Sequence, residues 1–268
     1  MKELRPTFKT DTLFKLLFTK NQHLLKKLVA HLLKIPVDDI SQFDVRNTEN
    51  TPDIYGKKLC RLDILMILNG EYVNLEVQVK DEGDFPERTL FYWARIYSNS
   101  LSSGGTYIKL PKTIIISIVD FPLFDDTDDF HSEFQLLEVS RKTPLTDRQV
   151  LHFFELKKLP EEIDENNLLL IWLKLFNANT EEELQMIDDL GVSEISEAIT
   201  AYRTVTSSEE YQELERIYVK AELDERQRTY NAIRRATAEK DAEIAEKVKE
   251  NDELRKQIEA LKAGNTGK

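Results

Sequence analysis

The sequence predicts a mixed α/β domain that is followed by an entirely helical C-terminal region. Residues 61–80 alternate between apolar and polar side chains on both sides of Asn69-Gly70, as expected for a β-hairpin with a two-residue turn. Residues 113–119 are apolar and mostly β-branched, which indicates a buried strand. Beyond Leu159-Pro160 the remaining segments all have a helical pattern.

Helices and strands alternate within the first 160 residues. The predicted elements are, in order, helices over residues 10–18 and 22–34, a strand over 40–47, the hairpin over 61–80, a helix over 86–101, and strands over 113–119, 133–139 and 150–156. Thr10 can cap the first helix, Pro36 ends the second, and Pro86 opens the third. This order of elements is typical of a mixed sheet flanked by helices.

The chain divides into three predicted segments. These are an α/β domain over residues 1–160, a helical region over 161–207 and a long charged helix over 208–268. In heptad register, one core position of the long helix holds Ile244, Asn251 and Ile258. The other core position holds Lys247, Leu254 and Leu261. Roughly two heptads of this kind predict a short coiled coil and homo-oligomers formed through this helix. The alternative is a solvated helix whose charged side chains pair with one another.

The net charge of −12 is unevenly distributed along the chain. Residues 1–112 hold 17 Lys and Arg against 14 Asp and Glu, whereas residues 159–268 hold 15 against 26. The first half is therefore mildly basic, which permits binding to nucleic-acid phosphates.

The sequence lacks an apolar run of about 18 residues, the length that a membrane span needs, and it lacks a signal-peptide pattern. No membrane association is therefore expected. Cys60 is the only cysteine, which is typical of a protein in the reducing cytoplasm, so a cytoplasmic location is expected.

The hairpin brings two acidic residues face to face. A two-residue turn pairs Leu68 with Glu71, and counting outward from that pair places Asp63 opposite Glu76. Opposed side chains have Cβ atoms about 4.5–5.5 Å apart, so two carboxylates there repel unless a proton or a cation lies between them. Gln78 points to the same face as Glu76. This pattern indicates a divalent-metal site, and the alternative is a half-solvated hairpin with a charged outer face.

Five segments within residues 7–160 together resemble one family. They are residues 11–18 (DTLFKLLF), 61–65 (RLDIL), 73–79 (VNLEVQV), 88–98 (RTLFYWARIYS) and 153–160 (FFELKKLP). In this order they resemble the Rpn family of recombination-promoting nucleases, a transposase-like family of the PD-(D/E)XK nuclease superfamily. The resemblance implies a restriction-endonuclease-like core in residues 1–160. It also implies hydrolysis of phosphodiester bonds in DNA that depends on Mg²⁺, with Mn²⁺ as an alternative ion.

The resemblance also assigns roles to individual residues. It implies that Asp63 and Glu76 bind the metal and that Asp11, on the first helix, completes the site. Gln78 stands where most of the superfamily has a catalytic lysine, and Lys80, on the same strand face, is predicted to supply the missing charge. The alternative for Asp11 is an acidic residue favoured by the dipole of its helix.

Two arginines are candidates for binding nucleic acid. Arg88 and Arg95 are seven residues apart and therefore share a face of their predicted helix with Tyr92. The alternative is a solvated helix face. A literal Pro52-Asp53 is interpreted as unrelated to the site, because Asp53 lies ten residues before the hairpin partner of Glu76.

The acid pair and the resemblance together lead to one main hypothesis, a metal-dependent DNA endonuclease linked to recombination or mobile elements. The main alternative is a catalytically weak DNA-binding or scaffold protein on a nuclease fold. A third possibility is an RNase, because the residues themselves do not separate RNA from DNA.

Overall fold

The computed structural model describes residues 2–46, 63–101 and 105–265, and a mixed sheet lies at the centre of this structure. Its six strands are β1 Phe43–Arg46, β2 Ile64–Leu68, β3 Glu71–Gln78, β4 Thr113–Val119, β5 His131–Gln135 and β6 Gln149–Glu155. The spatial order is β1-β2-β3-β4-β6-β5. The three central strands β3, β4 and β6 are parallel, and the other neighbours are antiparallel. The carboxyl ends of the central strands therefore meet at one edge of the sheet. Cys60, Arg61 and the Pro52-Asp53 pair lie outside the described residues.

The helices follow the predicted order. They are α1 Asp11–Lys20, α2 Gln22–Leu32, α3 Phe85–Asn99, α4 Leu168–Asn177, α5 Glu181–Asp188, α6 Ser193–Thr206 and α7 Glu209–Asn265. Local sequence fixes several of their ends. Pro86 lies in the first turn of α3, and Thr180 and Glu183 form a reciprocal capping box at α5. The predicted fold class, a mixed sheet flanked by helices with a helical C-terminal stretch, is confirmed.

The hairpin has the predicted register. Ile64 pairs with Leu75 and Leu68 with Glu71. Both turn residues have a positive φ, 49° for Asn69 and 83° for Gly70, as a two-residue primed turn requires. The side-chain oxygen of Asn69 also accepts hydrogen bonds from the amides of residues 41 and 42, which fixes the turn against the chain that leads into β1.

The two faces of the sheet are covered by different helices. One face packs against α1, α2, α4 and α6 in a large apolar core that includes Phe14 and Trp172. The other face carries a smaller apolar cluster, in which Phe85 and Ile96 of α3 pack on Ile115. The polar face of the hairpin lies on this second side and is buried there, with Asn74 0% and Glu76 8% exposed. The alternative of a half-solvated face is therefore wrong for Asn74 and Glu76.

Residues 1–212 form one compact unit and residues 213–268 a second. This division differs from the predicted boundary near residue 160, because α4 and α6 contribute to the same apolar core as α1 and α2. The start of the chain also joins this helical part. Leu4 N donates to Asn179 O at 2.7 Å, Glu181 N to Lys2 O at 3.0 Å, and the hydroxyl of Tyr202 to Pro6 O at 2.7 Å.

The second unit consists of the greater part of α7. The heptad residues Ile244, Leu254 and Ile258 are exposed in the single chain, and Lys247 pairs with Glu243 one turn away. These contacts are those of a solvated helix, and the coiled coil stays a prediction about a second copy. Across the described part of the chain, no helix combines the length and the apolar character needed to cross a membrane.

Candidate active site

Two hydrogen bonds from backbone amides to carboxylates join Asp63 to Glu76 and its neighbour Val77. Asp63 lies immediately before β2 and Glu76 lies in β3, close to the edge where the central strands end. The backbone amide of Asp63 donates to Glu76 Oε1 at 3.1 Å, and the amide of Val77 donates to Asp63 Oδ2 at 3.0 Å. The acids are thus brought together as the register predicts, although regular pairing of the strands starts one residue later, at Ile64.

The environment of Glu76 favours its neutral form. Burial, and then the negative charge of Asp63, raise the pKa of Glu76 to about 8. Asn74 Nδ2 donates to Glu76 Oε1 at 2.7 Å and opposes this shift only in part. Burial likewise raises the pKa of Asp63, against the attraction of Lys15. Burial and mutual repulsion thus favour the protonated form of the pair in the absence of a cation.

Lys15 is a member of this site that was not predicted from the sequence. Its ammonium Nζ lies 3.0 Å from Asp63 Oδ1 and 2.7 Å from Asp11 Oδ1. Burial alone lowers the pKa of Lys15, but the charges of Asp63 and then Asp11 raise it above its ordinary value. Lys15 is therefore a cation. The signal in the sequence was the spacing of four residues between Asp11 and Lys15 on a helix that is otherwise apolar at these turns.

Asp11 reaches the acid pair through Lys15. Within residues 2–46, 63–101 and 105–265, no group of three or more His, Cys, Asp or Glu side chains is placed to hold a metal ion. Asp63 and Glu76 are linked by the backbone amides described above, and among the described residues Glu76 Oε2 accepts no hydrogen bond. Mg²⁺ needs only one or two carboxylates, because it keeps several waters and takes substrate oxygens as further ligands. The two acids fit such an ion, and Asp11 remains a predicted ligand.

Gln78 and Lys80 lie beyond the acid pair. The amide nitrogen of Gln78 donates to the backbone oxygen of Lys80 at 2.9 Å, so its head group is turned along the chain. Lys80 is exposed, just after the end of β3. The described residues contain no ion pair between Lys80 and either Asp63 or Glu76. The structure thus brings Lys15, and not Lys80, to the carboxylates.

The candidate phosphate-binding residues Arg88, Tyr92 and Arg95 all lie on α3. Arg88 Nη1 is 3.2 Å from Glu82 Oε2, and its guanidinium carbon lies 5.0 Å above the ring of Phe85. Tyr92 packs against the smaller apolar cluster, and Arg95 is half-buried. These contacts hold Arg88 close to the first turn of α3, and the phosphate-binding role of Arg88, Tyr92 and Arg95 stays a prediction.

A second charged cluster lies beside the acid pair. The amide of Asp120, directly after β4, donates to Gln78 O at 2.9 Å. Its carboxylate binds two lysines, Lys9 at 2.8 Å and Lys157 at 2.9 Å. Lys9 is buried and also donates to Asn179 Oδ1 at 3.2 Å. This cluster was not predicted either, because its members are widely separated in the sequence.

A mixed sheet flanked by helices, with an Asp before one strand and a Glu inside the next, is the arrangement of a restriction-endonuclease-like domain. The model of one family, the PD-(D/E)XK nuclease family transposases, matches residues 8–232. The chain belongs to this family, which confirms the resemblance and supports a nuclease-like or transposase-like function. Comparisons with curated proteins and with solved structures found no match.

Proposed function

We propose that this protein is a metal-dependent endonuclease that hydrolyses phosphodiester bonds in DNA. The observation that carries the proposal is the pair formed by Asp63 and Glu76, two acids whose positions are fixed by backbone and side-chain hydrogen bonds. Two buried acids that lie this close repel each other, so a divalent cation between them is favourable. Mg²⁺ is the proposed ion, and Mn²⁺ is an alternative with the same preference for oxygen ligands.

The side chains of this site have distinct tasks in such a reaction. When bound, the ion lowers the pKa of a coordinated water and offsets negative charge on the phosphate. Asp63 Oδ1 and Glu76 Oε2 would hold it, while Val77 N and Asn74 fix the other carboxylate oxygens. In hydrolysis the water oxygen bonds to phosphorus as the bond from phosphorus to one sugar oxygen breaks. The water gives up a proton to solvent, and the released sugar oxygen takes one.

DNA is the proposed substrate because of the family and of the charge distribution. Residues 1–112 carry a small excess of basic residues, whereas residues 159–212 hold 2 Lys and Arg against 13 Asp and Glu. The helices α4 to α6 should therefore repel phosphates, and the DNA should lie on the side of the sheet edge that carries Asp63. A role with mobile elements or in recombination is proposed because the family is one of transposases, and a cytoplasmic location is proposed from the single cysteine of the chain.

A second candidate is a DNA-binding or scaffold protein with little catalysis. The observation that favours it is the neutral amide of Gln78, which is turned towards the carbonyl of Lys80 and gives no positive charge to a phosphate. This candidate predicts DNA binding without cleavage.

Incubation of the purified protein with supercoiled plasmid tests the proposal. We expect nicked and linear DNA with Mg²⁺ and intact plasmid with EDTA. A structured RNA of similar length, incubated in parallel, tests the choice of substrate. Equal cleavage with EDTA would exclude the metal mechanism. An intact plasmid that nevertheless binds the protein in a gel-shift assay would favour the second candidate, and cleavage of RNA alone would replace DNA as the substrate.

A further inference from the structure

We infer that Lys15 is a catalytic residue, whose ammonium group binds the phosphate that is cleaved. This inference rests on the proposed nuclease function and adds to it the source of the positive charge. Hydrolysis of a phosphodiester increases the negative charge on the phosphate oxygens, so a cation fixed beside the metal position accelerates the reaction. Among the described residues, Lys15 is the only Lys or Arg that contacts Asp63 or Glu76.

The position of Lys15 follows from the packing of α1. Phe14, Leu17 and Phe18 are fully buried in the main core, so the backbone that carries Lys15 is fixed relative to the sheet. Asp11, one turn earlier, also binds the ammonium. Two carboxylates thus direct a long, flexible side chain to a single place.

The same position is open to a substrate. The side chain of Lys15 is 33% exposed, in contrast to Lys9, which is 4% exposed and fully engaged with Asp120 and Asn179. Lys15 contacts Asp63 Oδ1, the oxygen that Val77 leaves free and that would hold the metal. An ammonium has three donors, so Lys15 can keep one carboxylate while it binds a phosphate oxygen.

A catalytic role and a purely structural role of Lys15 predict different effects of its replacement on metal binding and cleavage. In the protein without metal, Lys15 neutralises Asp63 and so competes electrostatically with a divalent ion. Removing its charge should therefore strengthen metal binding while it slows cleavage. A residue that only shaped the site would instead weaken both when it is replaced.

The experiment compares wild type with Lys15→Met, which keeps the length and apolar stem of the side chain. The matched control is Lys27→Met, because Lys27 also lies on a helix, is 31% exposed and pairs with one carboxylate, that of Glu197, at 3.2 Å. A further variant, Lys80→Ala, tests the residue that the sequence suggested. Single-turnover plasmid cleavage is measured at saturating Mg²⁺, Mn²⁺ affinity by calorimetry, and folding by circular dichroism.

We expect Lys15→Met to cleave about 100-fold more slowly than wild type and to bind Mn²⁺ at least as tightly. Lys27→Met should cleave like wild type, and Lys80→Ala should lose much less activity than Lys15→Met. Wild-type rates for Lys15→Met, or a loss of Mn²⁺ affinity in that variant, would overturn the inference and leave the nuclease proposal in place. A large loss in Lys80→Ala with normal cleavage by Lys15→Met would assign the charge to Lys80. A wild-type protein that fails to cleave would overturn the nuclease proposal itself, and the inference with it.

Discussion

Lys9 and Asp120 form a buried ion pair, with 2.8 Å between Nζ and Oδ2, that joins the residue before the N-cap of α1 to the residue after β4. Both ends of this pair lie next to the candidate site. Asp120 is hydrogen-bonded to Gln78, and α1 carries Asp11 and Lys15. The pair therefore aligns the helix that supplies the cation with the strand edge that supplies the carboxylates.

Asp120→Asn should destabilise the protein. Breaking a buried ion pair leaves an uncompensated charge and costs roughly 3–5 kcal/mol of unfolding free energy. Urea denaturation followed by circular dichroism measures the change. Glu71→Gln is the control, since Glu71 and Lys112 are 3.9 Å apart and partly exposed, and loss of such a pair costs at most about 1 kcal/mol. Equal stabilities of the two variants would contradict the structural role of Lys9 and Asp120.

Asp63→Asn and Glu76→Gln should each slow plasmid cleavage by at least about 100-fold, because each removes a negative charge from the metal position. Both amides keep an oxygen that accepts the existing hydrogen bonds, so the fold should persist. Single-turnover cleavage with Mg²⁺ measures the loss, and thermal unfolding shows whether the variants fold. Glu133→Gln, at an exposed position on β5, is the matched control and should cleave like wild type. Substantial activity in the Asp63→Asn and Glu76→Gln double variant would exclude these acids as ligands.

Stability without metal should fall as the pH rises. The pKa of Glu76 is raised from an ordinary value of 4.5 to about 8, so the folded state binds its proton more tightly than the unfolded state. The resulting stabilisation is complete below the unfolded value and is lost as the pH passes through about 8. The raised pKa of Asp63 acts in the same direction.

Glu76→Gln removes the larger part of this effect, since the amide is neutral at every pH. In EDTA, the melting temperature of Glu76→Gln should exceed that of wild type by a margin that grows from pH 5 to pH 9. Adding Mg²⁺ at the alkaline end should raise the melting temperature of wild type more than that of the variant. Melting curves that shift in parallel across this range would count against a shared proton at the pair.

A chain that ends after Gln212 should fold and keep its affinity for DNA, because residues 1–212 form a compact unit. A chain that ends after Pro160 should not fold, since it loses Trp172 and Tyr202 from the main core. Circular dichroism and a gel-shift assay at fixed salt compare both with the full chain. Sedimentation of the full chain and of residues 1–212 tests the predicted coiled coil in α7. Weak DNA binding by a folded 1–212 chain would show that the long helix contributes to the interface.

The sequence was sufficient for those features that depend on neighbouring residues. Counting outward from Asn69-Gly70 gave the register that sets Asp63 against Glu76, since a two-residue turn allows only one pairing. The β-branched run gave β4 with its observed bounds. In both cases the pattern and the geometry are local.

Features that depend on packing between distant segments could not be predicted. Lys15 faces Asp63 only because α1 docks on the sheet, and helical periodicity does not specify which surface a helix will meet. The same reason explains why the polar face of β3 was open to two interpretations, since its cover is provided by α3. It also explains the boundary placed at residue 160, because amphipathic α4 and α6 look alike whether they form a separate domain or complete the core.

The bonds that join Lys2, Leu4 and Pro6 to residues 179–202 impose an order on folding. The hairpin is local and can form early, but the segment leading into α1 finds these partners only after residue 202 has been synthesised. A nascent chain therefore carries both acids long before Lys15 is aligned with them. If the proposed nuclease function holds, we expect ribosome-bound chains stalled short of α6 to show no cleavage, so that the protein would be inert during its own synthesis. Activity in such stalled chains would show that the late contacts are dispensable.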